Sequence, residues 1–307
     1  MKHVLTALLL LPSPVMAEPV TLILDWFVNP DHAPIVIAAE KGFFSDQGLE
    51  VEIVAPADPS DPPRMVASGQ AQIGIGYQPQ LHLATQEGLP ITRIGTLVAT
   101  PLNCVTVLAD GPVQSVADLE GRKVGYSVPG METALMTAMM RHAGADPGAV
   151  EMVNVSWALT GSLLSGQVDA TIGGYRNFEL TQMAQEGAEG RCLFVEEEGI
   201  PPYDELIYLA RPDADRDLLQ RFMAAVERGA QWTINHPDEA WDSFVAAHPD
   251  LDDPLNRTAW DLTLPRLSQS PAGLDHGRYA RFETFMVEAG LVDSSRPVAD
   301  LAMDVWQ

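Results

Sequence analysis

The sequence predicts an α/β protein built as two similar lobes, and three observations carry that reading. From Pro19 onward, short apolar runs alternate with helical patterns, the arrangement of a largely parallel sheet covered on both faces. The chain has 307 residues, more than one hydrophobic core ordinarily serves. It also echoes itself. Ser68-Gly69-Gln70 precedes a run ending Ile75-Gly76-Tyr77, and Ser165-Gly166-Gln167 precedes a run ending Ile172-Gly173-Gly174-Tyr175. Each half would then offer a tyrosine at the carboxyl end of a strand, behind glycines that let a ligand approach the backbone. Common α/β grammar also produces such matches, so the echo predicts similar build and not duplication.

In chain order, Met1-Lys2-His3, the apolar run Val4 to Leu11 and the small residues up to Ala17 read as a signal peptide cut after Ala17. That run is too short to span a bilayer, and no later run approaches ~20 apolar residues, so a soluble exported chain is expected. Val20–Leu24 is a strand. It ends in Asp25-Trp26-Phe27-Val28-Asn29-Pro30-Asp31-His32, a polar-aromatic cluster where a strand hands over to a helix. Asn29 is a cap-type residue and Pro30 suits the first helical position. In α/β sheets ligands collect outside the carboxyl ends of strands, which makes this cluster the first candidate site.

A helix over Ala33–Lys41 stops at Gly42, and a strand follows over Glu50–Ala55. A helix runs from Asp61-Pro62 to Gly69, a strand over Ala71–Tyr77 and a helix over Gln78–Glu87. Ile91–Thr96 and Cys104–Leu108 are strands, Ser115–Gly121 a short capped helix and Lys123–Tyr126 a strand. A Met-rich helix runs to His142, then come a strand over Val150–Val155, a helix over Leu159–Ser165 and a strand over Val168–Gly173. Glu196-Glu197-Glu198 reads as a solvated turn and Leu206–Ala210 as a strand. Asp213–Asn235, Pro237–Ala247 and Arg278–Ala289 are scaffold helices, and Trp232, Trp241, Trp260 and Trp306 read as core.

Composition narrows the function. Hydrophobic residues make up 46% and charged residues 20%, with a net charge of −24. Such a surface repels nucleic-acid phosphates and anionic lipid. Cys104 and Cys192 read as two buried free thiols; export permits a disulfide, but their spacing does not demand one. No Cys/His cluster has zinc-type spacing and the seven histidines are scattered, so no metal is expected, and no cofactor is expected either.

Several further segments carry a resemblance: Leu24-Asp25-Trp26-Phe27 with Asn29 and His32, Glu40-Lys41-Gly42-Phe43-Phe44, and Ala57-Asp58-Pro59-Ser60-Asp61-Pro62. Tyr77-Gln78-Pro79, Pro101-Leu102-Asn103, Gly173-Gly174-Tyr175 with Asn177, and Pro202-Tyr203 with Glu205-Leu206 continue it. With these the chain resembles the periplasmic substrate-binding proteins of ABC importers. Within them it is similar to the ThiY-like branch, which binds thiamine pyrimidine precursors. It is also similar to the eukaryotic synthase of the same pyrimidine phosphate. The resemblance runs from about Val20 to Trp241, and the C-terminal fifth carries little of it.

The resemblance implies a type II periplasmic-binding-protein fold with two chain crossings, near Pro101–Val107 and Gly199–Ile207. Residues 18–103 and 206–307 would form lobe one and 104–205 lobe two, with the ligand in the cleft between them and hinge closure around it. The implied partners are an aminopyrimidine and an inner-membrane ABC permease; the implied state is a periplasmic monomer with no nucleic-acid or membrane-insertion role. Trp26, Tyr77 and Tyr175 would supply aromatic faces. Asp25 or Glu205 would accept from an exocyclic amine, and Gln78, Asn103 and Asn177 would read ring nitrogens or a formyl group. Asn29, His32 and Tyr203 complete the candidate site. Plainer readings stand beside these: Asn103 as the cap of a turn, Tyr175 on a lobe surface, His32 as a supporting or core residue.

Three rival functions stay open on the sequence. The wider superfamily binds sulfonates, nitrate and aromatic acids, and Ser127-Val128-Pro129-Gly130 at a helix start suits an anion, although carboxylates at Asp25 and Glu205 would oppose one. A periplasmic sensor is the second. The synthase itself is the third, but its cofactor lysine aligns with Gly76 and its cysteine-rich iron motif is missing between Phe194 and Tyr208. No turnover is therefore expected.

Overall fold

The structure is a computed structural model that describes residues 17–307, so the expected signal peptide lies, Ala17 apart, outside the described residues. The strands are β1 (Glu18–Ile23), β2 (Leu49–Val54), β3 (Ile73–Gly76), β4 (Thr92–Val98), β5 (Asn103–Leu108), β6 (Lys123–Tyr126), β7 (Glu151–Asn154), β8 (Ala170–Tyr175), β9 (Gly190–Phe194) and β10 (Leu206–Ala210). They form two five-stranded sheets, ordered β2-β1-β3-β10-β4 and β7-β6-β8-β5-β9.

Both sheets are mixed, which corrects the expectation of a largely parallel sheet. β1 runs parallel to β2 and β3, and β6 parallel to β7 and β8. β10 lies antiparallel between β3 and β4, and β5 antiparallel between β8 and β9. The cause is the connectivity. β4 and β9 end on the same side as their parallel partners, and each passes the chain to the other sheet from that end. The strand that arrives must therefore run away from the crossing. The cleft between the sheets is thus edged by strand carboxyl ends and by the starts of β5 and β10. The internal echo has a structural counterpart: β3 and β8 hold the same central place in their sheets, and Tyr77 and Tyr175 sit at their cleft ends.

The crossings span residues 99–102 and 195–205. Asn103, expected in lobe one, instead opens β5 and pairs with Tyr175. The acidic run is a turn as expected, a 3-10 turn over Val195–Glu197, but Glu196 is held by Arg176 at 2.6 and 2.8 Å. The corner after β1 folds as its caps dictate. Asn29 Oδ1 accepts from the Asp31 amide at 2.8 Å, Pro30 opens a 3-10 turn, and the helix Ala33–Glu40 follows. That helix packs on the helix Arg216–Asn235, where Gly229 permits the approach: a Cβ there would lie 2.2 Å from the Pro34 carbonyl oxygen.

Other expectations need correction. The helices Glu179–Gln185 and Pro254–Thr263 and the strand β9 were not read from the sequence. Cys104 and Cys192 are not free thiols but form a disulfide between neighbouring strands β5 and β9. Without β9, nothing in the sequence set them side by side. Trp241 and Trp260 are core, whereas Trp232 is half-buried and Trp306 is 52% exposed. No helix among the described residues is long and apolar enough to cross a membrane.

Candidate functional site

A cavity of about 270 Å³ lies between the two sheets at the cleft ends of their strands. Aromatic rings from both sides form one part of it. Trp26 and Phe27 follow β1, and Trp157 follows β7. The Trp157 ring lies edge-on to Trp26, with centroids 4.3 Å apart, and tilted against Phe27 at 4.6 Å. Trp157 is presented by a constrained loop. Ser156 takes a left-handed φ of 49°, its amide donates to Asn154 Oδ1 at 2.9 Å, and its carbonyl accepts from the Ser127 hydroxyl.

The polar part is built from acids. Asp25 is wholly engaged, by His32 Nε2 at 2.9 Å and by the Tyr77 hydroxyl at 3.0 Å. Asp31 accepts from Thr263 at 2.6 Å and from Asn177 at 2.8 Å. Glu205 Oε2 accepts from the amides of Leu102 (2.6 Å) and Asn103 (2.9 Å) and from the Tyr203 hydroxyl (3.2 Å). Glu132 Oε2 accepts from the amides of Ser127 (2.6 Å) and Val128 (2.9 Å), and Glu179 Oε2 from that of Tyr175. All five acids line the cavity, and among the described residues no Lys, Arg or His does. Burial pushes the carboxyl of Glu132 up to about 8, despite its amide donors, with the Glu205 charge adding to the rise. Burial likewise raises Glu179 and Glu205 to about 7, and holds the Tyr77 and Tyr175 hydroxyls well above their ordinary range.

Seven of the residues expected from the sequence line this cavity: Asp25, Trp26, Asn29, Tyr77, Asn103, Tyr175 and Glu205. The Asn29 side chain is committed to its own corner, donating to the Phe27 carbonyl and capping Asp31. Four stand behind the lining. His32 orients Asp25, Tyr203 donates to Glu205, and Asn177 ties Asp31 to Thr263. Gln78 does not line the cavity, because it opens the helix Gln78–Gln86 and its side chain is turned to the backbone before β10. Its Oε1 accepts from the Asp204 amide at 2.8 Å and it faces His82.

Sequence reasoning missed Glu132, Glu179 and Trp157. The two glutamates had a readable signal, since each lies in the first turn of a helix, where an acid reaches back to free amides. The amides of Ser127 and Val128, considered above for an anionic ligand, already hold the Glu132 carboxylate. Trp157 is a single aromatic in a loop, and no pattern marks it. Gly173, with φ 101°, makes room for Glu132: a Cβ there would lie 1.9 Å from Glu132 Oε1. Several buried polar atoms in the lining have no partner in the structure, namely Asn103 Nδ2, Tyr175 OH, Thr160 Oγ1 and Asn256 Oδ1. Taken together, the lining offers aromatic surface to a small flat molecule and acceptors to several N–H donors. Among the described residues no cluster of His, Cys, Asp and Glu suits a metal.

Comparison with known proteins agrees with this architecture. A Haemophilus influenzae protein provisionally assigned to thiamine biosynthesis is 45% identical over 304 residues, covering 98% of this chain and 96% of its own. The formylaminopyrimidine-binding protein of Halalkalibacterium halodurans is 33% identical, over 78% of this chain and 73% of its own. The 4-amino-5-hydroxymethyl-2-methylpyrimidine phosphate synthase of Legionella pneumophila is 30% identical, over 85% of each chain. Among solved structures, the alkanesulfonate-binding protein of Xanthomonas axonopodis pv. citri superposes with a TM-score of 0.72 at 13% identity, over 93% of this chain and 98% of that one, a likeness of fold alone. The two-sheet architecture is that of the periplasmic binding proteins. The NMT1/THI5-like family model matches residues 29–240, and the chain belongs to that family.

Proposed function

We propose that this protein is an extracytoplasmic binding protein that carries a thiamine pyrimidine precursor, an aminopyrimidine, to an ABC permease in the inner membrane. The observation that carries this reading is a cleft walled by aromatic rings and lined by five acids and, among the described residues, no base. An aminopyrimidine is flat and presents N–H donors. Each aromatic pair contributes ~0.5–1.5 kcal/mol beyond area burial. Each hydrogen bond to a charged acceptor nets ~1.5–3 kcal/mol. A micromolar complex needs only about −8 kcal/mol, so such a lining suffices without a metal. The 33%-identical relative named for formylaminopyrimidine binding supports the same ligand class. Export, a periplasmic monomer and closure of two lobes, 18–102 with 206–307 against 103–205, Asn103 going with β5, complete the proposal. The flexing would fall at the two crossings.

A sulfonate or nitrate ligand is disfavoured, because the cleft would set its charge against buried carboxylates with no cation in the lining among the described residues. Catalysis of the synthase type is disfavoured at Gly76, where the resemblance aligns the cofactor lysine. A Cβ at this position would lie 2.6 Å from Leu209 Cδ1. The test is calorimetric titration with hydroxymethyl- and formylaminomethyl-pyrimidines, thiamine, taurine and nitrate. Binding confined to the anions would sink the reading, and a pyrimidine product formed with pyridoxal phosphate and iron would overturn the absence of turnover.

A further inference from the structure

Two glutamates in the cleft share an unusual arrangement. In Glu132 and in Glu205, both buried, Oε2 is fastened by two backbone amides, while Oε1 makes no hydrogen bond among the described residues. Neither Oε1 is among the sealed, unpartnered atoms, and both residues line the cavity, so the second oxygen of each is offered to a ligand. Gly173 exists in a conformation and at a distance that only a missing Cβ permits, which keeps Glu132 Oε1 in this position.

This lining poses a problem for a nitrogen heterocycle. A ring nitrogen is a hydrogen-bond acceptor, and a carboxylate is an acceptor only. The lining does hold donors, at Asn103, Tyr175, Thr160 and Gln182 and on the indoles of Trp26 and Trp157, but a ring nitrogen set against Glu132 Oε1 meets an acceptor. Two acceptors can meet in a buried site only if a proton lies between them. We propose, resting on the pyrimidine reading above, that the cleft binds its ligand as a weak base together with one proton. That proton is held between a ring nitrogen and Glu132 Oε1, while the exocyclic amine donates to Glu205 Oε1. The ligand class is then an amidine-edged heterocycle, a basic ring nitrogen next to an amino group.

The surroundings of Glu132 agree. The charge that acts on it is that of Glu205, which disfavours two ionised carboxylates together. Tyr77 and Tyr175, from the two central strands, keep neutral hydroxyls. Of the groups on elements packed against its helix, His82 is committed to Glu283, and Asp118 to the amides of Gln114 and Ser115. Asp146, beyond the carboxyl end of the helix, accepts from the Gly148 amide, and on the helix itself Arg141 donates to the Ala289 carbonyl. Three basic groups sit at the crossings and all are engaged: Arg176 by Glu196 and the carbonyls of Leu102 and Asn103, Arg266 by Thr100 and the Pro101 carbonyl, and Arg278 by Asp204 and the Ala99 carbonyl. Glu132, raised to about 8, therefore carries its proton at neutral pH and must take one up to bind at higher pH.

The test is titration calorimetry of the whole chain with a 4-amino-5-hydroxymethylpyrimidine between about pH 6 and about pH 9.5, in buffers of different ionisation enthalpy. Expected is proton uptake that rises toward one per ligand, with Kd increasing about tenfold per pH unit above about pH 8. Glu132→Gln keeps an oxygen for the two amides and turns an N–H donor to the ligand. Its Kd should stay within about threefold from pH 7 to pH 9, a span over which the wild type loses about tenfold. Pyrimidine binding with no linked proton at about pH 9, or a wild-type pH slope in Glu132→Gln, would overturn this inference and leave the proposed function standing. If no pyrimidine binds at any pH, the function falls and the inference with it.

Discussion

The two lobes reach the cleft with the same topology but different degrees of completion. On the first lobe, Tyr77 ends the central strand and its hydroxyl donates to Asp25, whose other oxygen is held by His32. On the second, Tyr175 holds the matching place and its hydroxyl has no partner; Asn103 Nδ2 and Thr160 Oγ1 are likewise unpaired. Glu132 and Glu179 each use one oxygen and leave the other. Asn256, in the C-terminal segment, is the exception on the first side. The difference suggests a division of labour. On the binding reading proposed above, the first lobe presents a wall whose polar groups are satisfied, with Trp26 on it, and the second supplies the free polar groups that would read a ligand.

That contrast can be broken at several points. The largest effect is expected from Gly173→Ala, where the new Cβ would collide with Glu132 in a left-handed conformation. Pyrimidine affinity should fall by at least about 100-fold, ~2.7 kcal/mol, by calorimetry. An unchanged Kd would show that the second lobe does not read the ligand through Glu132. Trp157→Ala removes the ring that faces Trp26 and Phe27, and should weaken binding by about tenfold, mainly through faster dissociation in stopped-flow fluorescence.

A paired comparison sharpens the contrast at the two tyrosines. Tyr77→Phe strands Asp25 Oδ2 and should cost about 1–3 kcal/mol of stability in urea unfolding. Tyr175→Phe deletes a hydroxyl that has no partner, so it should leave stability unchanged while weakening the ligand. Equal stability losses would erase the distinction between the lobes. The smallest effect concerns pH. Glu132, Glu179 and Glu205 bind protons more tightly folded than unfolded, because burial raises all three. Their contribution is fully present below the ordinary carboxylate range and is lost as pH rises to between about 7 and about 8. Calorimetric Tm should therefore drift down by a few degrees, roughly, from pH 5 to pH 8, and less in Glu132→Gln.

Much of the site was legible because its signals are local. Asn29-Pro30 announces a helix start wherever the chain goes, and an apolar run ending in Asp25-Trp26 places that pair at a strand's carboxyl end. The repeated Gly-Gln before a strand and Tyr after it marked Tyr77 and Tyr175. Glu205 stood out as a charge opening an apolar strand. Less legible were groups whose direction depends on what packs above them. Gln78 is adjacent to Tyr77 yet is turned to the backbone before β10. Glu132 and Glu179 look like ordinary solvated acids at helix starts, until the helices settle over the cleft.

Strand and helix order, the caps, the two-lobe plan and the polar-aromatic corner after β1 thus follow from neighbours in sequence, through periodicity, glycine and proline geometry, and the distribution of charge. The antiparallel insertion of β5 and β10, the Cys104–Cys192 pairing, the approach of Trp157 to Trp26 and the gathering of five acids around one cavity follow from long-range contacts. Residues about 50 to about 180 positions apart meet there only because two sheets exchange strands, and short-range chemistry carries no information about which distant partner a side chain will meet.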